Sequence, residues 1–224
     1  TGAPILPLYI YDETDGGPSA RGAASRIWLH YSLKSLSQSF ENKLIFRSGP
    51  ARSVLTDLAR QTGATAVYWN RCYDPFSVAR DTSIKAALTH AGIETHSFNA
   101  SLLFEPWEIT KPDGTPYRVF TPFYRKGCAA KGPPPSPLPP PGKTPLYAAQ
   151  DHHTKLEDLY LLSSLDWPLS MMSCWQVGEA AAQNRLNDFL ETEIKGYKTG
   201  RDFPAENQTS RLSPHLHFGE ISPR

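Results

Sequence analysis

Four short apolar runs alternate with three helical patterns through the first hundred residues, at a spacing of about 25 residues. No other feature limits the fold as much. Ile5 to Tyr11 reads as a buried strand, closed by Asp12 and the Gly16-Gly17-Pro18 breaker. Ile27, Leu29, Tyr31, Leu33, Leu36 and Phe40 fit a helix whose apolar positions recur at three- and four-residue steps. Leu44-Ile45-Phe46 is a second strand. After Gly49-Pro50 a helix runs through Val54, Leu55, Leu58 and Ala59, and Gly63 ends it as a left-handed C-cap. Ala66 to Trp69 is a third strand, Pro75 to Ala91 a third helix stopped by Gly92, and Ile93 to Phe98 a fourth strand. This order predicts an α/β fold with a doubly wound parallel sheet covered on both faces. Ligands on such sheets sit beyond the carboxyl ends of the strands, here Tyr11-Asp12-Glu13, Arg47-Ser48 and Asn70 to Asp74. The first strand is followed by neither G-x-G-x-x-G nor G-x-x-x-x-G-K-[ST], so dinucleotide and P-loop readings have no motif behind them.

From Gly132 to Pro145 the composition changes to GPPPSPLPPPGKTP, which can neither pair in a sheet nor continue a helix. It reads as an extended polyproline-II-like linker, and a plain spacer is the simpler reading than an SH3-type ligand. The expected organisation is an α/β domain over 1–131, a linker over 132–150 and a helical region over 151–224, where no strand signal occurs. Within the last, Trp175 to Ile194 predicts an amphipathic helix through Val177, Ala181, Leu186, Phe189 and Leu190. Hydrophobic residues make up 39% and aromatic ones 11%, enough for a buried core and against global disorder. No apolar run approaches the roughly 20 residues that span a bilayer, and Thr1 to Pro4 lacks a signal-peptide start, so a soluble, cytoplasmic, monomeric protein is expected. Cys72, Cys128 and Cys174 are far apart and unpaired in pattern, which predicts free thiols serving mostly as packing groups. A net charge of only +1 means that any contact with DNA is local or made by other residues.

The stretch most suggestive of chemistry is Gly196 to Arg224, GYKTGRDFPAENQTSRLSPHLHFGEISPR. Thr209, Ser210 and Ser213 place three hydroxyls around Arg211, and Ser213-Pro214 suits the N-cap and first position of a helix. Free N–H groups there, with a guanidinium able to grip oxyanions, make a plausible phosphate cradle. On that chemistry alone, a capped helix start beside a surface arginine is the plainer reading. The string T-S-R-L-S followed by P-H-L-H-F-G-E-I-S-P-R, preceded by Y-K-T-G-R-D-F-P, resembles the photolyase/cryptochrome family closely. Tyr117 to Phe123 (Y-R-V-F-T-P-F) and Ala24 to Leu29 (A-S-R-I-W-L) resemble further segments of that family, in the same order along the chain.

The resemblance implies a Rossmann-like antenna domain followed by the start of an all-helical FAD-binding domain. It implies FAD as cofactor, held at its phosphates by Thr209, Ser210, Arg211, Leu212 and Ser213, with Tyr197 as an upstream contact. A second antenna chromophore, methenyltetrahydrofolate or a deazaflavin, is implied for the α/β half. The implied activity is that of a deoxyribodipyrimidine photolyase, light-driven repair of cyclobutane pyrimidine dimers in damaged DNA. The alternative is a cryptochrome photoreceptor without repair. By the same resemblance the chain begins after the family's first, central strand and stops early in its helical domain. The chain alone is therefore expected to be marginally stable, to hold FAD weakly, and to contain neither a catalytic residue nor the DNA-contacting region. Asp74 falls where the family often places a glutamate near the folate, one methylene shorter. His215 and His217 lack a third ligand at metal spacing, and His152-His153 reads as a solvated pair. Glu105 and Glu108 beside Trp107 read as solvated loop charges, and Arg80-Asp81 as an exposed helix pair.

Overall fold

The computed structural model describes residues 2–13, 20–139, 141–142, 144–147 and 154–224. The Gly16-Gly17-Pro18 breaker and the His152-His153 pair lie outside these described residues. Each apolar run yields a strand, with bounds shifted from those expected. β1 covers Leu8–Tyr11 rather than starting at Ile5, because Pro7 carries no N–H for a ladder. Ile5 instead forms an isolated parallel bridge with Leu146: its N–H donates to the Pro145 carbonyl at 2.8 Å, and its own carbonyl accepts from Tyr147 N at 2.8 Å. The end of the proline-rich segment is thus pinned beside the first strand.

α1 (Ala23–Ser39) leads to β2 (Ile45–Ser48), which pairs in parallel with β1 from Leu8↔Ile45 to Tyr11↔Ser48. α2 (Ala51–Thr62) ends at Gly63 with φ 68°, the left-handed C-cap that an L side chain would resist. β3 (Ala66–Asn70), α3 (Pro75–His90) and β4 (Glu94–Phe98) complete the alternation, with β3 and β4 parallel from Ala66↔Glu94 to Asn70↔Phe98. The four strands form two ladders, β1–β2 and β3–β4, and no ladder joins the two pairs among the described residues.

Packing explains why α1 is apolar over so much of its surface. Leu29 and Leu33 join Leu44, Phe46, Leu156, Leu159 and Leu161 in one buried cluster, with Tyr9, Tyr11, Phe40 and Phe218 against it. Residues from both sides of the proline-rich stretch therefore share this core. Ile27, Trp28, Leu29 and His30 are all buried, four consecutive positions that a helix covered on one face could not hide. Those positions meet the sheet on one side and the last third of the chain on the other.

Beyond β4 a helical stretch that the residue pattern did not announce runs through α4 (Phe120–Pro122), a π-helical turn (Phe123–Cys128) and α5 (Ala129–Lys131). Pro122 is tolerated because it stands in the first turn, where no N–H is needed. A 3₁₀ turn (Leu156–Leu159), α6 (Trp167–Ser173), α7 (Glu179–Asp188), a π-helical turn (Phe189–Glu193), α8 (Tyr197–Gly200) and α9 (Ser213–Phe218) follow. The helix expected over Trp175 to Ile194 starts only at Glu179. Gly178 breaks it with φ 108°, and a Cβ there would overlap the Ser35 side chain of α1. The close approach of that loop to α1 requires glycine. Cys72 and Cys174 are exposed rather than packing groups, and Cys128 is half-buried.

Candidate functional site

Residues 208–213 form a strip that leads into α9 from the loop after α8, with one sharp reversal at Arg211. Leu212 is buried and anchors the strip, whereas Arg211 and Ser213 on either side of it are exposed. Arg211 adopts φ 52°, in the left-handed region, and Leu212 follows at φ −84°, ψ −5°. Successive left- and right-handed residues turn consecutive backbone N–H groups into one concavity, a nest suited to an anion. Among the described residues, no hydrogen bond engages the N–H groups of Arg211, Leu212 and Ser213 or the hydroxyls of Thr209, Ser210 and Ser213. The expected capping geometry differs in detail: Leu212 is the N-cap, Ser213 the first helical residue, and no side chain caps the helix. With six residues, α9 is too short for a helix dipole to matter, so the donors of the reversal itself take that place.

What faces the other side of the strip is Arg185, on α7. Its Nε donates to the Ser210 carbonyl at 2.9 Å and one terminal nitrogen donates to the Thr209 carbonyl at 2.8 Å. In a trans peptide the N–H points opposite to the C=O, so drawing these two carbonyls inward turns the N–H groups of Ser210 and Arg211 outward. Glu193, presented by the π-helical turn after α7, accepts from Arg185 at 2.6 Å and from Asn207 Nδ2 at 3.1 Å. Gln208 packs over α8 so closely that a Cβ on Gly200 would meet its side chain at 2.5 Å. Tyr197 on α8 is 38% exposed, with its ring edge-on to Phe189 at 5.8 Å and the Arg201 guanidinium 5.5 Å from its centroid. Tyr197 thus shares a short helix with Gly200, against which Gln208, the residue before Thr209, is packed. Arg185 carried no sequence signal, since it reads as one more polar position of an amphipathic helix.

The far end of the strip is locked to α1. Trp28 Nε1 donates to Glu220 Oε1 at 3.1 Å, and the other oxygen of Glu220 lies 2.5 Å from His215 Nδ1, all three residues being buried. Trp28 also meets Trp175 edge-on at 5.4 Å, His215 at 5.2 Å and Phe218 in a stack at 6.1 Å. Arg211 lays its guanidinium over Trp175, 4.3 Å from the ring centroid. His215 is therefore a core group rather than half of an H-x-H pair, while His217 is exposed beside Phe218.

At the carboxyl ends of β3 and β4 a second polar group assembles. Glu105 is 7% exposed, accepting from Arg71 at 2.6 Å and from the Tyr73 hydroxyl at 2.9 Å. This corrects the expectation of a solvated charge: a buried carboxylate is retained because two donors satisfy it. Glu108 accepts from Glu105 N at 3.3 Å and pairs with Lys131 at 3.4 Å. Burial, and then the bond to Glu105, push the Tyr73 phenol above its ordinary value. Arg71 lies over the exposed Trp107, 5.4 Å from its centroid. Asp74 caps α3: its carboxylate accepts from Ser77 N at 2.9 Å, and that bond holds it below the usual carboxylate value. Asp81, expected on an exposed face, is half-buried and accepts from both Trp69 Nε1 at 3.1 Å and Arg80 Nε at 2.9 Å.

Comparison with known proteins bears on what this arrangement is for. The sequence profile of the DNA photolyase family matches residues 1–142. A deoxyribodipyrimidine photo-lyase of Agrobacterium fabrum is 41% identical over 226 residues, covering 99% of this chain and 46% of the relative. Cryptochrome-2 of Arabidopsis thaliana is 35% identical over 229 residues, covering 98% of this chain and 37% of the relative. The chain thus spans less than half the length of these relatives. Among solved structures, a bacterial class III photolyase from Agrobacterium tumefaciens superposes with a TM-score of 0.89 at 41% identity, over 99% of this chain and 46% of that one. A Synechocystis cryptochrome superposes at 0.81 with 24% identity, over 100% of this chain and 48% of that one, which speaks for the fold alone.

Proposed function

The chain belongs to the DNA photolyase family, and on that footing we propose that Tyr197, Thr209, Ser210, Arg211, Leu212 and Ser213 hold the phosphates of FAD. The observation that carries this reading is the reversal at Arg211, where consecutive N–H groups and three hydroxyls have no protein acceptor among the described residues. Such a set matches oxyanions, which are acceptor-only groups. Leu212 contributes its N–H while its buried side chain fixes the height of the strip. Arg211, exposed and stacked on Trp175, brings a guanidinium to the strip, and Tyr197 offers an accessible aromatic ring.

When bound and reduced, FAD supplies the electron that splits a cyclobutane pyrimidine dimer. The residues of this chain bind and orient it, and none is assigned a proton transfer. For the complete protein we infer light-driven repair of such dimers in damaged DNA, with the DNA contacts made by the length of the relatives that this chain does not span. An antenna chromophore, a folate or a deazaflavin, is proposed for the α/β half, at the strand ends where Arg71, Tyr73 and Trp107 gather. Asp74 is already engaged with Ser77, which disfavours it as a chromophore contact. A cryptochrome-type photoreceptor is the second reading, favoured by the 35% identity with Arabidopsis Cryptochrome-2.

The experiment is to express the gene to its natural ends and follow dimers in ultraviolet-treated DNA, in darkness and under blue light. Light-dependent loss of dimers with bound FAD is the expected result. Bound FAD without repair selects the photoreceptor, and absence of flavin overturns the assignment of the 209–213 strip.

A further inference from the structure

Two carbonyls in consecutive peptides of one strip accept from the same guanidinium, and that guanidinium is itself braced. Arg185 is 22% exposed and its partner Glu193 13%, so the pair is shielded from water while remaining on the wall of the site. A lone surface arginine would not hold one geometry, because a long side chain loses rotamer freedom when fixed. Here one terminal nitrogen of the planar fork is clamped by Glu193, which Asn207 in turn engages, and also donates to the Thr209 carbonyl, while Nε donates to the Ser210 carbonyl. Its Nε and one terminal nitrogen are engaged by the back of the strip and by Glu193.

We propose that Arg185 is the positioning residue of the phosphate strip, holding the carbonyls of Thr209 and Ser210 inward so that the N–H groups of Ser210 and Arg211 stay turned toward the phosphates. This inference rests on the reading of the strip as an FAD site. The left-handed turn at Arg211 is disfavoured for a non-glycine residue, so the turn persists only where its surroundings enforce it. Two contacts enforce it: the bonds from Arg185 before the turn and the burial of Leu212 after it. Without Arg185 the peptides of Thr209 and Ser210 are free to rotate, and the donor array loses its common direction. The flavin ring, which other residues must hold, would not register the change. The effect therefore falls on the phosphate-dependent part of the affinity.

The test uses the complete protein, stripped of flavin and titrated with FAD and with riboflavin, which lacks the phosphates. Wild type is expected to bind FAD more tightly than riboflavin. Arg185→Gln should weaken FAD binding by about tenfold or more, the loss of at least one charge-assisted hydrogen bond, with riboflavin binding unchanged. Arg185→Lys should recover only part, because an ammonium cannot bridge both carbonyls and Glu193 as the fork does. Glu193→Gln leaves Arg185 in place but loosens it, and should weaken FAD binding in the same direction by about threefold. This second variant keeps the test decisive if Arg185→Gln does not fold. Equal losses for FAD and riboflavin, or no loss for either in a folded variant, overturn the proposal while leaving the FAD site standing. A wild type that does not distinguish the two ligands overturns the FAD-site reading and this proposal with it.

Discussion

Replacing Glu220 should destabilise the chain from two sides at once. Its carboxylate satisfies the indole N–H of Trp28 at 3.1 Å and a ring nitrogen of His215 at 2.5 Å, and Trp28, His215 and Glu220 are 5%, 2% and 8% exposed. Glu220→Leu keeps the bulk but strands both partners. A buried polar group left without a partner costs about 1–3 kcal/mol, so two cost about 2–6 kcal/mol. The leucine regains part of this by ending the desolvation of a carboxylate, which leaves about 3 kcal/mol of net loss. Against a total of about 5–15 kcal/mol for a whole domain, that is a large fraction. Glu220→Gln retains an acceptor for Trp28 and should cost about 1 kcal/mol. Trp28→Phe removes the donor instead, and the double variant with Glu220→Leu should lose at least about 1 kcal/mol less than the sum of the singles. Denaturant unfolding followed by tryptophan emission and by far-ultraviolet circular dichroism measures all four, provided the slopes stay equal. A Glu220→Leu variant as stable as wild type, or more stable than Glu220→Gln, would refute the reasoning, because it would mean that the hydrogen bonds do not hold α9 to α1.

Three further expectations rest on independent observations. Gly200→Ala drives a methyl into Gln208, whose atoms stand 2.5 to 2.8 Å from the new Cβ, and should cost about 1–3 kcal/mol in thermal unfolding; Gly63→Asn, at a tolerant left-handed position, should cost far less. Asp74→Ala removes the side-chain cap of α3 and should lower stability by about 1 kcal/mol at neutral pH, with Asp74→Asn close to wild type; the Asp74 contribution is present above the ordinary carboxylate range and fades as the pH falls through the depressed value. His30, buried on α1 with its Nδ1 unpartnered, is held below its usual value by burial, against which Glu157 acts and which Lys34 reinforces. The unfolded chain therefore takes up that proton first, so stability present above about pH 6.5 should decline below it, and His30→Gln should flatten that decline in melts across about pH 5 to 7.

Local pattern was a good guide wherever local physics decides. The strand runs, the left-handed cap at Gly63 and the start of α3 at Pro75 are set by residues adjacent in sequence, and all three appear in the structure. The helix expected from Trp175 fails because Gly178 answers to Ser35, a contact with a distant residue that no periodicity expresses. The exposure expected of Glu105 and Asp81 fails for the same reason: donors at Arg71, Tyr73 and Trp69 make burial affordable only once the chain has folded. The stretch from Phe120 to Lys131 became helical despite Pro122, whose place in the first turn is harmless but cannot be known until the helix start is known.

The candidate site divides along the same line. Its donors are contiguous in sequence, Thr209 to Ser213, and a contiguous motif can be read. What orients them is not contiguous: Arg185 lies 25 residues before Ser210, and Trp28 lies 192 residues before Glu220. A strip of donors without such braces would sample many directions, and an anion would have to organise it at the moment of binding. Bracing it in advance moves that entropic cost into folding, which is how preorganisation raises affinity without adding a contact. The same reasoning explains why α1 is buried at four consecutive positions. One side of it completes the core over β1 and β2, and the other, through Trp28, ties down the helix that follows the strip. A change on α1 that never touches the ligand should then alter how well the 209–213 strip holds its shape.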